Sequence, residues 1–348
     1  MTNTGERSTS ERIIENLNRA LHALLDGDDR VFFLGEDVLD PYGGAFKAAR
    51  GLSTKYPDRV LTTPISELGF VGVANGLSLA GQRPIVEIMF GDFIFLAFDQ
   101  IINFAAKSVS MYGRRVPHHL LIRCPVGGHR GYGATHSQSV QKHFLGVPDL
   151  DLFELSPLHD NTALLPRILA RDHPGILFES KVLYAQPQLG EGAIDDLFTC
   201  EFLDEERMTA HVFVDRDPQA ILIASGGSFP ACWQAARQLL LEHEIEVQIV
   251  VPFQLYPFEV QSLAPLLSTA PALYVVEEGT AGGTWGAEVA AVVAEAWPHR
   301  APVRLIHSAD SIIPSARHLE RDVLVQPENI VKRVSTDLHA IHPRSHHQ

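Results

Sequence analysis

RPIVEIMF (83–90), FDQIINFAAKSVSMY (98–112) and HHLLIRCP (118–125) are the stretches whose reading decides the fold. Two short runs of β-branched and other apolar residues flank a longer helical pattern. That succession is the signature of an α/β domain with a largely parallel sheet. Upstream, ERIIENLNRALHALL (11–25) and VFFLG (31–35) supply a further helix and strand. From about 185 to 218 the alternation weakens into QPQLGEGAIDDLF (186–198) and then acidic text, expected to be an interdomain connection. It restarts with AILIAS (220–225), PACWQAARQLLLEH (230–243), EVQIVVP (246–252), EVQSLAPLL (259–267), ALYVVEE (272–278), GAEVAAVVAEAW (286–297) and VRLIHS (303–308). The sequence predicts a first α/β domain over 1–195, a linker over 196–218 and a second, smaller α/β domain over 219–340.

At 348 residues, 45% hydrophobic and 20% charged, the chain has the makeup of a globular protein with room for two self-sufficient cores. A formal charge of −14 and a pI near 5.6, with no local run of Lys or Arg, argue against a nucleic-acid partner. The apolar stretches are broken by Gly, Asp or Pro before they reach a membrane-spanning length, so no membrane partner is expected. MTNTGERSTSER (1–12) reads as neither a signal nor a transit peptide. Cys124, Cys200 and Cys232 are far apart and form no CxxC pair, which suits a reduced, cytoplasmic compartment.

Glycine clusters fall where strand patterns end: YGGAF (42–46), VGGHRGYGATHS (126–137) and GTAGGTWGAE (279–288). Each can be a tight turn or a loop that approaches a ligand closely. None follows GxGxxG in a strand-to-helix setting or the Walker pattern, so those modes of nucleotide binding find no support. The 126–137 loop presents His136, a residue type able to move protons near neutral pH, although by itself, in a chain with 17 histidines, the residue reads first as a hydrogen-bonded structural one. Glu67 follows TTPIS and opens a pattern rich in small residues, LGFVGVANGLSLAG (68–81). Its apolar flanks imply burial, and a buried carboxylate has a raised pKa and can share a proton with a ligand nitrogen. The alternative is a glutamate placed to favour a helix N-terminus.

Taken together, GEDVLDPYGGAFK (35–47), DRVLTTPISELGFVG (58–72), EIMFGDFIFLAFDQIINFAAK (87–107), GYGATHSQS (131–139) and FESKVLY (178–184) resemble the beta subunits of pyruvate and branched-chain 2-oxo acid dehydrogenases. The resemblance runs from about Glu11 to Val334 and places the chain among the transketolase-like proteins. It implies a pyrimidine-binding domain followed by a transketolase C-terminal domain, with thiamine diphosphate as cofactor. It further implies that Glu67 hydrogen-bonds the cofactor's aminopyrimidine ring and promotes the imino tautomer that deprotonates the thiazolium carbon. Glu36 is implied near the same ring, Phe93 stacked on it, and His136 facing the substrate to assist proton transfer or the hand-over to a lipoyl group.

In such proteins a GDG followed some thirty residues later by NN holds the diphosphate and magnesium, and this sequence contains no such motif. The resemblance therefore implies a separate alpha subunit that supplies the magnesium ligands, leaving no metal site of that kind on this chain. It also implies a heterotetramer with a beta-beta contact, a lipoyl acyltransferase core as a further partner, and a potassium ion near Arg171 to Pro174. Two segments depart from the family pattern. VVPFQLYPFE (250–259) has Phe253 where relatives carry an Arg, and SADSIIPSA (308–316) replaces GADxPxP; the glycine loop also carries a bulky His129-Arg130 pair. The reading that follows is a decarboxylating 2-oxo acid dehydrogenase component. The alternatives are a two-subunit thiamine-dependent transferase forming carbon–carbon bonds to a carbonyl acceptor, and a non-catalytic scaffold.

Overall fold

The computed structural model describes residues 11–204, 208–267, 271–298 and 302–341. Most of the N-terminal stretch read for a leader lies outside them. The chain begins with helix Ile13–Gly27, whose Ile13, Leu17, Ala20, Leu21, Leu24 and Leu25 form one buried stripe at helical spacing. The Glu15 carboxylate accepts from the Arg12 N–H at 2.8 Å and so satisfies a donor at the helix start.

The first segment then forms β1 (Val31–Gly35), β2 (Val60–Thr62), β3 (Arg83–Glu87), β4 (Leu121–Val126), β5 (Asp151–Glu154) and β6 (Gly175–Ser180). The rest of the chain contributes β7 (Gly192–Ala193), β8 (Thr199–Phe202), β9 (Thr209–Phe213), β10 (Ala220–Ala224), β11 (Val247–Pro252), β12 (Gln254–Tyr256), β13 (Leu273–Thr280) and β14 (Arg304–Ser308). Among the described residues they build two seven-stranded sheets, ordered β12-β5-β6-β4-β3-β1-β2 and β14-β13-β10-β11-β9-β8-β7. Pairing in the first is parallel except for β12, and in the second it is parallel from β11 to β14. Strands β4, β6 and β11 are buried along their whole length, as expected where helices cover both faces of a parallel sheet. The two-domain α/β architecture is as expected.

Three expectations change. The 196–218 stretch is not a linker: β8 and β9 lie in it and extend the second sheet through antiparallel pairing from β11. Cys200, Ala210 and Val212 join the core, but Glu201, Thr209 and His211 interleave with them and the other acidic residues of the stretch lie outside the two strands, which weakens the strand signal. Next, β12 crosses over to pair with β5 of the first sheet. Finally, the run from Gly91 to Ala106 opens as a 3₁₀ turn and continues as a π-helix over Gln100–Ala106, not as a plain α-helix. Such widened turns are often found at functional sites.

The Phe253 departure is explained by packing. Its ring is fully buried against Phe153, at 5.4 Å, and His159, at 5.2 Å, so an apolar residue here consolidates the junction where β11 runs into β12. One hydrophobic cluster is continuous across the two sheets, joining Val86, Ile122 and Phe178 to Ile223, Val250 and Trp285. Trp285 also donates from Nε1 to the Leu255 carbonyl at 2.9 Å, and Gly227 N–H donates to the Glu154 carboxylate at 2.7 Å. The domains are therefore fastened by apolar contact and by satisfied polar bonds.

Inside the first sheet lies a buried ionic group. Arg123 of β4 holds Glu179 of β6 in a two-point fork at 2.8 and 2.7 Å and also donates to Glu87 of β3. Tyr184 donates to the same Glu179 carboxylate at 2.6 Å. Removing one member of such a group leaves an uncompensated buried charge. Arg123→Met should lower unfolding free energy by about 3–5 kcal/mol in urea titrations. A loss near that of a surface substitution, under about 0.5 kcal/mol, would show the group to be dispensable.

Candidate active site

The candidate residues gather at the C-terminal edge of the first sheet, the edge at which open parallel sheets bind ligands. Glu36 follows β1 directly and Glu67 opens helix Glu67–Leu79. Both are buried, at 5% and 3% exposure, although Ile65 and Leu68 beside Glu67 are exposed. The helix N-terminus favours a carboxylate at position 67, whereas Gly69, Gly72 and Gly76 give the helix little intrinsic propensity. Packing holds it, through buried Phe70, Val71 and Ala74 and through Asn75, which donates to the Gln100 carbonyl at 3.0 Å.

Burial, with further help from the charges of Glu67 and Asp37, raises the Glu36 carboxyl to about 7. Its Oε1 is buried without a hydrogen-bond partner. A carboxyl that keeps its proton near neutrality, with an oxygen left over, is equipped to meet a ring nitrogen or an amino group.

Phe93 and His136 form a second group. Their rings meet edge to face at 5.2 Å, and His136 also meets Phe90 edge to face at 4.8 Å. Thr135 Oγ1 lies 3.0 Å from His136 Nδ1. Phe90, not singled out by the sequence reading, is the hub: its ring contacts Phe46, Phe93 and Tyr132 at 5.4, 6.3 and 5.9 Å. An aromatic residue ending a strand pattern reads as core. The signal that distinguishes it is the glycine that follows. A Cβ at Gly91 would stand 2.6 Å from Val126 Cγ1, so only glycine lets this turn lie on β4 with Phe90 and Phe93 on either side of it. Behind Phe90 lies the Lys181 ammonium, buried, without a hydrogen-bond partner and 6.0 Å from the ring.

The structure thus brings Glu36 near Glu67, and Phe93 against His136. None of the four lines the cleft of about 390 Å³ bounded by Arg171, Met208, Gln254 and Glu259, which sits at edge strand β12. Among the described residues no cluster of three or more His, Cys, Asp or Glu side chains is placed to hold a metal ion, and no helix is long and apolar enough to cross a membrane.

Comparison with known proteins defines the class first. Residues 12–187 match the family model "Transketolase, pyrimidine binding domain", and residues 209–330 match "Transketolase, C-terminal domain". The fold is similar to that of a split-gene transketolase described as an inactive beta4 tetramer, with a TM-score of 0.71 and 18% identity over 94% of this chain and 98% of that one. A mutant transketolase from Pichia stipitis gives 0.66 and 15% identity, over 96% of this chain and 47% of that longer one.

The sequence relatives are more specific. Pyruvate dehydrogenase E1 component subunit beta, mitochondrial, from Dictyostelium discoideum is 32% identical over 92% of this chain and 89% of its own. That of Caenorhabditis elegans is 32% identical over 97% and 96%, and the subunit beta of Leifsonia xyli is 31% identical over 95% and 96%. The chain belongs to the beta subunits of the thiamine-diphosphate-dependent 2-oxo acid dehydrogenases. The residues present suit the aminopyrimidine end of that cofactor: a proton-holding carboxyl with an unpartnered oxygen, a second buried carboxylate and an aromatic face.

Because Glu36 binds its proton more tightly folded than unfolded, it contributes stability that is present at low pH. That contribution is lost as pH rises from the ordinary carboxylate range through about 7. Glu36→Gln should therefore flatten the decline of melting temperature between about pH 5 and pH 8, followed by scanning calorimetry. Equal slopes in the two proteins would show that Glu36 is not the titrating group.

Proposed function

We propose that this chain forms the pyrimidine-side half of an active site completed by an alpha subunit, and that the complex oxidatively decarboxylates a 2-oxo acid, pyruvate or a branched-chain one, passing the acyl group to lipoyl-lysine. The observation that carries this reading is that two buried carboxylates, one with an unpartnered oxygen, and an aromatic and histidine cluster follow strands of one sheet at the same edge. Glu67 and Glu36 would hold the aminopyrimidine edge and Phe93 its face. When bound, thiamine diphosphate supplies the electron sink that cleavage next to a carbonyl requires. Glu67, buried at the start of its helix, would face the aminopyrimidine ring with its carboxylate and pass a proton to and from a ring nitrogen. His136, steadied at Nδ1 by Thr135, moves a proton at Nε2.

The alpha subunit would bring the diphosphate site and the magnesium ligands, since the sequence lacks the GDG and NN pair. The surface around Glu67 supports a partner there: Ile65 is 85% exposed and Val73 56%, alongside exposed Leu68. A heterotetramer with a beta-beta contact and, beyond it, an acyltransferase core complete the assembly, with potassium near Arg171 as a structural ion. The three cysteines are free, which suits a cytoplasmic enzyme, while the Dictyostelium and Caenorhabditis relatives are named mitochondrial. A second reading, ligation to a carbonyl acceptor, draws on the altered 308–316 segment, because the Ser315 carbonyl lies against Gly131 of the His136 loop.

With the alpha subunit, thiamine diphosphate and magnesium, the complex should turn over pyruvate or 3-methyl-2-oxobutanoate with an artificial electron acceptor. Glu67→Gln should lower that rate by about a hundredfold or more. Turnover that requires an added carbonyl acceptor would move the assignment to the transferase, and wild-type activity in Glu67→Gln would remove Glu67 from the chemistry.

A further inference from the structure

The loop that bears His136 is built from residues that cannot hold a shape by themselves. It is closed at its base by Gly127 N–H donating to the Gln138 carbonyl at 3.1 Å, and Gln138 in turn donates to Asp92 Oδ1 at 2.7 Å. Beyond that base, the fastenings come largely from the second domain. Glu278, at the end of β13, accepts from Gly128 N–H at 2.7 Å and from Ser139 Oγ at 3.1 Å through Oε1. Its other oxygen lies 3.2 Å from His129 Nε2. Glu320, on helix Arg317–Val323 and only 2% exposed, accepts from Gly131 N–H at 3.1 and 3.3 Å. Gly128 packs on the C-terminal end of the same helix so closely that a Cβ there would stand 2.4 Å from Cδ1 of the capping residue Leu324.

Backbone strain marks the same place. His129 has φ +64°, a left-handed conformation that a residue with a bulky side chain adopts at a cost. The Glu278 contact offsets that cost. Burial alone would raise the Glu278 carboxyl and lower the His129 imidazole; their contact reverses both, leaving Glu278 below and His129 above its ordinary value. At the far side of the strained residue, Arg130 donates to the Lys181 carbonyl at 2.9 Å.

We propose that Glu278 and Glu320 are positioning residues for His136: the second domain, through these two carboxylates, sets where the histidine stands against the aromatic cluster of the first. The inference rests on the decarboxylase reading only for what His136 does, not for how it is held. A carboxylate accepting two or three charge-assisted bonds from a glycine-rich backbone fixes a path that glycines leave open. A histidine displaced by an ångström loses rate, whereas a cofactor bound by other elements keeps its affinity.

The test uses the reconstituted complex with the alpha subunit. Glu278→Ala and Glu320→Ala should lower kcat by about tenfold or more, with KM for the oxo acid and the affinity for thiamine diphosphate unchanged. Glu320→Gln, which still accepts from Gly131, should recover most of that loss. His129→Gly, which relieves the backbone strain and removes the anchor, should keep the melting temperature and still lower kcat. In the same variants, hydrogen exchange of the 127–139 segment should quicken while strands β10 and β13 keep their protection.

Unchanged kcat and unchanged exchange in the alanine variants would overturn the proposal. So would a loss that Glu320→Gln shares in full, together with faster exchange throughout the second domain. If the wild-type complex shows no turnover, the functional reading fails, and the exchange of 127–139 still decides the positioning claim.

Discussion

A guanidinium clamped between two carboxylates inside a parallel sheet sets the geometry of this molecule. Arg123 ties β4 to β6 through Glu179 and to β3 through Glu87, with all three side chains buried. Each of these strands launches a segment of the candidate site. From β3 comes the Phe90–Phe93 turn, from β4 the glycine loop with His136, and from β6 the Lys181 turn with Tyr184, which closes the ionic group by bonding Glu179. β1, which launches Glu36, is the neighbour of β3. A bidentate fork fixes direction as well as distance, so the strand ends are aligned before any side chain of the site is placed. Apolar side chains of equal volume in place of the whole ionic group would match its stability, whereas loss of Arg123 alone would not, and neither change would keep that alignment.

The second domain is tied to the elements that bear the site. The ties are the strand β12 that it lends to the first sheet, the shared apolar cluster around Trp285 and the carboxylates that reach the glycine loop. The first two ties fix the domains relative to one another; the third transmits that relation to a single loop. Phe253, read from the sequence as a departure from the family pattern, has a place in this arrangement. In a junction packed between Phe153 and His159 a charge would be buried without need, and an aromatic ring strengthens the tie through which β12 enters the first sheet.

Much of this is legible in the sequence, for physical reasons that differ between elements. The central strands are continuous apolar runs because both faces are covered, and such runs declare themselves. Glu67 and His136 stand in motifs whose neighbours, TPIS and HSQS, leave few other readings once the family is recognised. Strands β8 and β9 do not declare themselves, since each is short, mixes polar with apolar residues and is set among acidic connecting text. Nor does β12, three residues long, whose partner β5 lies about a hundred residues upstream. Phe90 is hidden because a strand-end aromatic looks like core. Glu278 and Glu320 are hidden by separation: 150 residues divide Glu278 from Gly128, and 189 divide Glu320 from Gly131, and no local pattern marks a carboxylate that a distant glycine N–H will meet.

What unites these observations is the half-site proposed above: two buried carboxylates and a group of rings at one sheet edge, close to exposed Ile65, Leu68 and Val73. Calorimetric titration of thiamine diphosphate with magnesium, into this chain alone and into its complex with the alpha subunit, tests that claim most directly. The account predicts saturable binding to the complex and none to the isolated chain over the same concentrations. Equal affinity in both would contradict it, because the chain would then hold the diphosphate by itself and the site would be whole.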